Sequence, residues 1–424
     1  MNHAIKCRIA EIRRGIIPSG YKQTKLGIIP QEWETPELNN VLSENKERNR
    51  SGRFGKEDVL SVSGDFGVTN QIELLGRSFA GVSVKDYHVV ESGDIVYTKS
   101  PLKSNPYGII KLNKGAAGIV STLYAVYYCK SHEVGVYLDY YFSIDRYVNN
   151  YLRPLVRKGT KNDMKVNNED VLKGHIILPS KAEILKIAEI LGCCDRVIAL
   201  KKELIAEKKR QKMALMQKLL NPDSGFRLPG FKGEWSCRKL GTFCNTFSGG
   251  TPERSHSEYF CGEIPWIKSG ELNSRFINAT EEYISISALE NSSAKMVDAD
   301  TLLIAMYGAT AGTIAITNIK AAINQAVLAI IPDESVNKTF LMYALKNQID
   351  LAIVKYTQGG QPNFTAEIIK AFLIKFPNIK EQLDIADILS AADKEIDLLE
   401  QELTQQQQKK KSLMQLLLTG IVRV

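Results

Sequence analysis

The chain has 424 residues, more than one ordinary core holds, so two or more domains are expected. Its 44% hydrophobic and 24% charged content is that of a globular protein, and no apolar run approaches the ~18 residues of a membrane span. A net charge of +8 permits contact with nucleic acid but does not argue for it.

Residues 1–19 form a leader with charges scattered through it. It lacks the apolar stretch of a secretory signal, so a cytoplasmic location is expected. The seven cysteines include the adjacent Cys193 and Cys194, and Cys237, Cys244 and Cys261 have no Cys-x-x-Cys spacing. His3, His88, His132, His175 and His256 are dispersed, so neither a metal site nor a disulfide framework is expected.

Residues 20–178 form a first block. The runs "VLSVSG", "DIVYTKS" and "AVYYC" are β-branched and aromatic, and Gly, Asn and Pro break them, which is a strand signal. Its polar and basic loops offer Lys99, Lys103, Tyr107, Arg157, Lys158, Lys161 and Asn162 as candidate DNA contacts.

A long helix follows over 179–220. It starts just after Pro179 and stops at "NP". Ile184, Ile187, Leu191, Cys194, Ile198, Ile205, Leu215 and Leu219 recur at three- and four-residue steps, the seam of a coiled coil. At ~1.5 Å per residue it is a rod of roughly 60 Å.

A second block spans 221–376, with strand signals in "TLLIAMYG", "TIAITN" and "AVLAIIP". "LPGFKGEWSCRKL" (228–240) matches "LGIIPQEWETPEL" (26–38) at the head of block one. The loops "FSGGTP", "IPWIKSGEL", "MYGATAGTIAI" and "TQGGQPNFT" let backbone approach a phosphate or a base edge. Gln and Asn can read adenine, and Lys or Arg guanine. The candidates are Gly249, Thr251, Lys268, Tyr307, Thr313, Gln325, Gln358, Gln361 and Asn363. At an offset of 198, the loop "RKGTKNDMK" (157–165) answers the last of these loops.

Residues 377–424 repeat the first long helix. At the same offset Glu183, Leu185, Ile187, Ile190, Leu191, Asp195, Ile198 and Leu200 lie over Glu381, Leu383, Ile385, Ile388, Leu389, Asp393, Ile396 and Leu398, and "LMQ" at 215–217 over "LMQ" at 413–415. The second seam is Ile385, Leu389, Ala392, Ile396, Leu399, Leu403, Leu413 and Leu417. Both seams lapse at one place, with Lys208 and Lys212 in the first helix and Gln406 and Lys410 in the second, and this predicts a polar waist. The first helix has ten basic against five acidic residues and the second five against eight, so each favours the other over itself. The expected fold is α+β: two mixed α/β domains alternating with two long helices that pair as an intramolecular antiparallel coiled coil. Ile187, Leu191, Ile198, Leu215 and Leu219 would pair with Ile385, Leu389, Ile396, Leu413 and Leu417.

This order of parts resembles the specificity (S) subunit of type I restriction-modification systems. "GYKQTKLGIIPQEW" is similar to the family's opening. "FSGGTP", "WIKSGEL", "YGATAGTIAI", "INQAVLAI" and "QPNFTAEIIKAFLIKFP" are similar to its second recognition domain. "EQLDIADILSAADKEID" and the terminal "LMQLLLTG" are the most distinctive parts, and the resemblance covers the chain from residue 20 onward. It implies a DNA-reading adaptor without an active site of its own. Each domain would read half of a split double-stranded DNA target, and the helices would set the spacer and dock two methyltransferase (M) subunits. Two restriction (R) subunits would join them. S-adenosylmethionine, ATP and Mg would belong to those partners, with no cofactor here and no membrane.

The residues argue against an enzyme. "SNPYG" has one proline where an amino-methyltransferase motif needs two, "YGATAGT" lacks the lysine of a phosphate loop, and neither Pro222-Asp223 nor Pro332-Asp333 is followed by a suitably placed Glu-x-Lys. The alternative is a coiled-coil scaffold without DNA specificity. It draws support from block two, which has fourteen basic against fifteen acidic residues.

Overall fold

The computed structural model describes residues 3–100, 104–158, 164–356 and 363–424. The chain divides into two compact units, one of residues 1–200 with 403–424 and one of residues 201–402. Each is a mixed α/β body built on half of each long helix.

In the first unit a four-stranded antiparallel sheet runs in the order Leu42–Glu44, Tyr124–Cys129, Ile95–Thr98, Ile109–Leu112. The two strands at 95–98 and 109–112 are mainly apolar and are buried along their whole length, Thr98 and Lys111 included, with Lys111 Nζ donating to Ser143 Oγ at 2.7 Å. The helix His132–Phe142 covers the sheet, and its Tyr137, Leu138, Tyr141 and Phe142 join the core. Smaller ladders pair Leu60–Ser63 with Gly67–Asn70 and His88–Val90 with Gly118–Val120, and a parallel bridge joins Val59 to Ile119.

The second unit repeats this plan. Its main sheet runs Cys244–Ser248, Val327–Pro332, Thr301–Ala305, Ile314–Thr317, with Phe276–Ile277 added at the edge. Its second sheet runs Glu282–Ile284, Ile264–Ile267, Ala321–Ile323, Lys295–Val297, and Ile264–Ile267 lies parallel to Ala321–Ile323. Registers match as well as order: His88 faces Val120 as Lys295 faces Ile323, and Thr98 faces Tyr124 as Ala305 faces Val327. The two blocks share little sequence between their frames, yet the strand order lets their turns be matched one by one. The offset of 198 also holds late in each block, where short helices begin at Asn168 and at Ala366.

The long helices are Lys181–Leu219 and Ile379–Leu418. Each is capped at the same repeat position. Ser180 Oγ accepts from the Glu183 amide at 3.4 Å, and Asn378 Oδ1 from the Glu381 amide at 3.1 Å. They pack antiparallel. In the first unit Ile184, Ile187 and Leu191 share a core with Leu417 and Leu418, and Leu413 packs against it; in the second Leu219 shares one with Ile385 and Leu389, and Leu215 packs against that. Ile396 is buried and Ile198 half-buried.

The polar waist is a set of ion pairs. In the second unit Lys212 Nζ lies 2.5 Å from Asp393 and Lys208 Nζ 2.6 Å from Glu395, and Lys201 and Lys209 pair with Glu402 and Glu400. In the first unit Lys410 Nζ lies 2.5 Å from Asp195. A tyrosine completes each aspartate: Tyr140 Oη donates to Asp195 at 2.7 Å, and Tyr343 Oη to Asp393 at 2.6 Å. Each lysine also sits over its tyrosine ring, at 5.2 Å for Lys410 and 5.4 Å for Lys212. These tyrosines stand on the helices His132–Phe142 and Lys338–Tyr356, so each node joins a block to both long helices.

A second repeated element anchors the helix starts. Glu183 and Glu381 are buried, and each receives an arginine from the segment after a long helix. Arg423 Nε lies 2.5 Å from Glu183, and Arg227 Nη2 2.7 Å from Glu381. Trp33, itself fully buried, donates Nε1 to Glu183 at 2.8 Å. Burial raises the Glu183 carboxyl pKa, but the bonds from Arg423 and Trp33 more than offset it, so the group stays below its usual value. Gly420, in the left-handed region at φ +70°, seats the tail: a Cβ there would lie 2.4 Å from Pro30 and 3.1 Å from the Trp33 ring.

Two outcomes are expected from these contacts. Tyr140→Phe and Tyr343→Phe each remove a hydrogen bond to a charged partner, so each lowers unfolding free energy by about 1.5 kcal/mol in urea titration. Losses that differ severalfold would refute the equivalence of the nodes. His88 is buried with an unpartnered Nδ1, and burial pushes its pKa down to about 4. Above pH 6.5 the imidazole is neutral in both states. Between 6.5 and about 4 the unfolded chain takes up a proton that the folded chain refuses, so stability falls across that window and levels below it. His88→Leu flattens that slope, measured as urea midpoints from pH 7 to pH 4.

Candidate nucleic-acid interface

In the second unit the strand directions bring distant loops to one end of the main sheet. Cys244–Ser248 and Thr301–Ala305 finish there, and Val327–Pro332 and Ile314–Thr317 start there. Thr251, Tyr307, Thr313 and Gln325 therefore lie in neighbouring turns, with Gly249 at their root. Ile264–Ile267 ends at the same side because it runs parallel to Ala321–Ile323, and this adds Lys268. Hydrogen bonds tie the turns together: Thr310 Oγ1 donates to the Ser269 carbonyl at 2.8 Å, the Met306 amide to Ala326 at 2.8 Å, and the Phe364 amide to Met306 at 2.7 Å. The last bond brings in exposed Asn363. Seven residues picked from loops up to 114 positions apart in sequence thus share one sheet end.

Their side chains are not all free. Lys268 Nζ bonds Glu282 at 2.6 Å, and Thr251 Oγ1 donates to the Gln325 side chain. Thr313 Oγ1 donates to the Thr310 carbonyl at 2.7 Å. Tyr307 is partly exposed, and burial raises its phenol pKa. The bareness of Gly249 serves the sheet itself, because a Cβ there would lie 1.8 Å from the Ile323 carbonyl oxygen. Gln358 and Gln361 lie outside the described residues.

The first unit has the same end. Lys99 follows Ile95–Thr98, and Tyr107 precedes Ile109–Leu112, so both occupy the turn that matches 306–313. Lys99 Nζ donates to Asn168 Oδ1 at 2.6 Å, Asn168 Nδ2 to Glu44 at 2.7 Å, and burial lowers the Lys99 ammonium pKa. Lys103, Lys161 and Asn162 lie outside the described residues. The backbone of Arg157-Lys158 pairs with Met164-Lys165, and the side chains of Arg157 and Lys158 lie outside what is described. The same topology adds the turns 64–66 and 121–123 and Lys46, none of which stands out in the sequence. Strand order is the only signal that finds them, since no sequence pattern aligns those turns with block two.

A cavity of about 340 Å³ in the second unit lies beside the Thr313 turn, lined in part by Arg275, Tyr343, Lys346 and Asp393. Its charges are largely paired, with Arg275 Nη1 2.9 Å from Asp393 and Nη2 3.6 Å from Asp397. Among the described residues no cluster of His, Cys, Asp or Glu could hold a metal, and no helix is long and apolar enough to cross a membrane.

Residues 232–407 match the type I restriction modification DNA specificity domain. The specificity subunit of an Escherichia coli type I restriction enzyme is 27% identical over 259 residues, 58% of this chain and 63% of that subunit, so the match spans less than two thirds of that relative. A putative type I restriction enzyme specificity subunit of Methanocaldococcus jannaschii is 25% identical over 95% of this chain and 97% of its own length. In fold, the S subunit of the type I restriction-modification system of M. genitalium superposes with a TM-score of 0.55 at 14% identity, covering 91% of this chain and 96% of that one. A chain from a study of complex assembly in a type I R-M system gives 0.56 at 17% identity, with 93% and 99% covered. The curated relatives and the M. genitalium structure are specificity subunits of type I restriction-modification systems, and the DNA specificity domain match covers residues 232–407 of this chain.

Proposed function

We propose that the chain reads a split, asymmetric DNA target. Each block contacts one half, and the paired long helices set the spacer and carry two methyltransferase subunits, which two restriction subunits can join. S-adenosylmethionine, ATP and Mg are assigned to those partners, and the chain itself does no chemistry. One observation carries the reading: two sheets of one strand order each bring turns of unlike sequence to one end. A common frame with different edges is what two readers of different sequences need. On this reading the chain comprises a leader (1–19), recognition domains at 20–178 and 221–376, and helices at 179–220 and 377–424.

The partner surfaces have support of their own. Leu185 and Leu383 are 45% and 44% exposed, and Leu200 and Leu398 are 64% and 51% exposed. Both pairs are identical across the repeat and point away from the seam, which would leave two like apolar surfaces for two copies of one partner.

Footprinting of the chain with its methyltransferase partner should show two protected patches separated by an open spacer; one continuous patch would sink the ruler. Gln325→Ala with Asn363→Ala should relax one half-site by roughly tenfold and leave the other unchanged. Equal weakening on all DNA would make these residues positioning contacts. Leu200→Asp with Leu398→Asp should abolish co-purification of the partner without changing the circular dichroism spectrum.

A further inference from the structure

The reading end of the first unit differs from that of the second in chemistry as well as in sequence. Ser63 faces Gly67 across a tight hairpin, with 64–66 as its loop. The Ser63 hydroxyl accepts the amides of Asp65 and Phe66 at 3.3 Å each, and Gly67 turns the chain at φ +72°. The tip is thus fixed, and it holds Phe66 outward at 66% exposure. The turn 121–123 is built alike. The Tyr124 amide donates to the Ser121 carbonyl at 3.0 Å, the Leu123 amide to the Ser121 hydroxyl at 3.4 Å, and Leu123 is 68% exposed.

Both turns belong to the reading end. Tyr124 faces Thr98, so Leu123 emerges beside Lys99. The parallel bridge Val59–Ile119 sends the strand Leu60–Ser63 toward the end where Val120 stops. Leu60, Val62, Val68 and Tyr124 pack in one cluster, which binds the hairpin to the root of the other turn. In the second unit the turn matching 121–123 is 324–326, where buried Ala326 takes the place of Leu123 and Gln325 is the outward polar residue, and Lys268 follows Ile267 where Ser61 follows Leu60.

We propose that Phe66 and Leu123 read their half-site by apolar contact with thymine methyl groups in the major groove, where the second unit uses polar groups. Large apolar side chains held on rigid serine-braced turns, at an end that also carries Lys46 and Lys99, suit that contact. The thymine methyl is the one apolar mark on a major-groove base edge. Asp65, exposed on the same tip, is placed to accept from a cytosine amino group beside it.

The inference rests on the function proposed above, and one experiment separates the two. Binding of the chain with its methyltransferase partner is measured on its target DNA, with uracil replacing each thymine in turn. Loss of one buried methyl should weaken binding by about fourfold at one or more thymines of one half-site. Phe66→Ala with Leu123→Ala should bind thymine and uracil DNA alike at those positions, and Phe66→Leu should restore most of the difference. No uracil effect in either half-site overturns the inference while two-patch binding leaves the function standing; this is also the result expected if the two residues wedge between base pairs. Undiminished discrimination in the double alanine variant overturns it too. Failure of the wild-type complex to bind a split target would remove both.

Discussion

Asp195 and Asp393 do for this chain what an apolar seam cannot. A heptad seam fixes that two helices pair, but it tolerates a slide of one heptad with little loss. An aspartate on one helix facing a lysine on the other breaks that degeneracy, because a slide leaves two partly buried charges unpaired at several kcal/mol. Asp393 is 16% exposed and Lys212 12%, so the penalty is not screened away. The repeat makes the lock reciprocal: the aspartate of each helix meets the lysine of the other, 198 positions on. Tyr140 and Tyr343 then extend each lock into the neighbouring block. Register, pairing and block attachment meet at two small nodes.

The same economy governs the ends of the helices. Glu183 and Glu381 would be costly as buried lone charges, and each is matched by an arginine that the chain supplies only after another helix has ended. For Glu183 that arginine is Arg423, one residue from the last. Leu417 and Leu418 lie in the same core as Trp33, and Gly420 packs directly on that ring. The first unit is therefore made of sequence from both ends of the chain, and its core closes only with the final turn of the second long helix and the tail after it.

What was legible in the sequence follows from this division. Frame residues recur because the frame is one solution used twice: Glu183 and Glu381, Asp195 and Asp393, and the seam leucines could all be read by alignment. The meaning of some could not. Leu185, Leu200, Leu383 and Leu398 repeat as faithfully as the seam but fall outside its three- and four-residue steps, and they face outward; the repeat alone did not say what an exposed leucine kept twice is for. The waist lysines read as merely polar because their aspartate partners lie 181 and 215 positions away. The sheet ends proposed to read DNA were half legible. Block two offered glycine-rich turns, and those among the described residues share one sheet end. In block one, Phe66 and Leu123 sit in unremarkable strings, and only strand order places them.

Charge was the least informative signal, and the structure shows why. Block two is neutral by count, which favoured a scaffold, yet it carries most of the DNA specificity domain match. Several of its basic side chains are spent internally: Arg254 and Lys268 on Glu282, Arg275 on Asp393, Lys338 on Asp300, Arg238 on Asp333. Such pairs hold turns in place and add little field at long range. Net charge measures attraction to phosphate, which is blind to sequence. Discrimination between bases needs donors, acceptors and apolar tips held at fixed positions. A sheet end whose turns are pinned by their own ion pairs and hydrogen bonds would meet that need with no surplus of positive charge, so the neutrality of block two is compatible with the proposed role, in which nonspecific attraction falls to other surfaces.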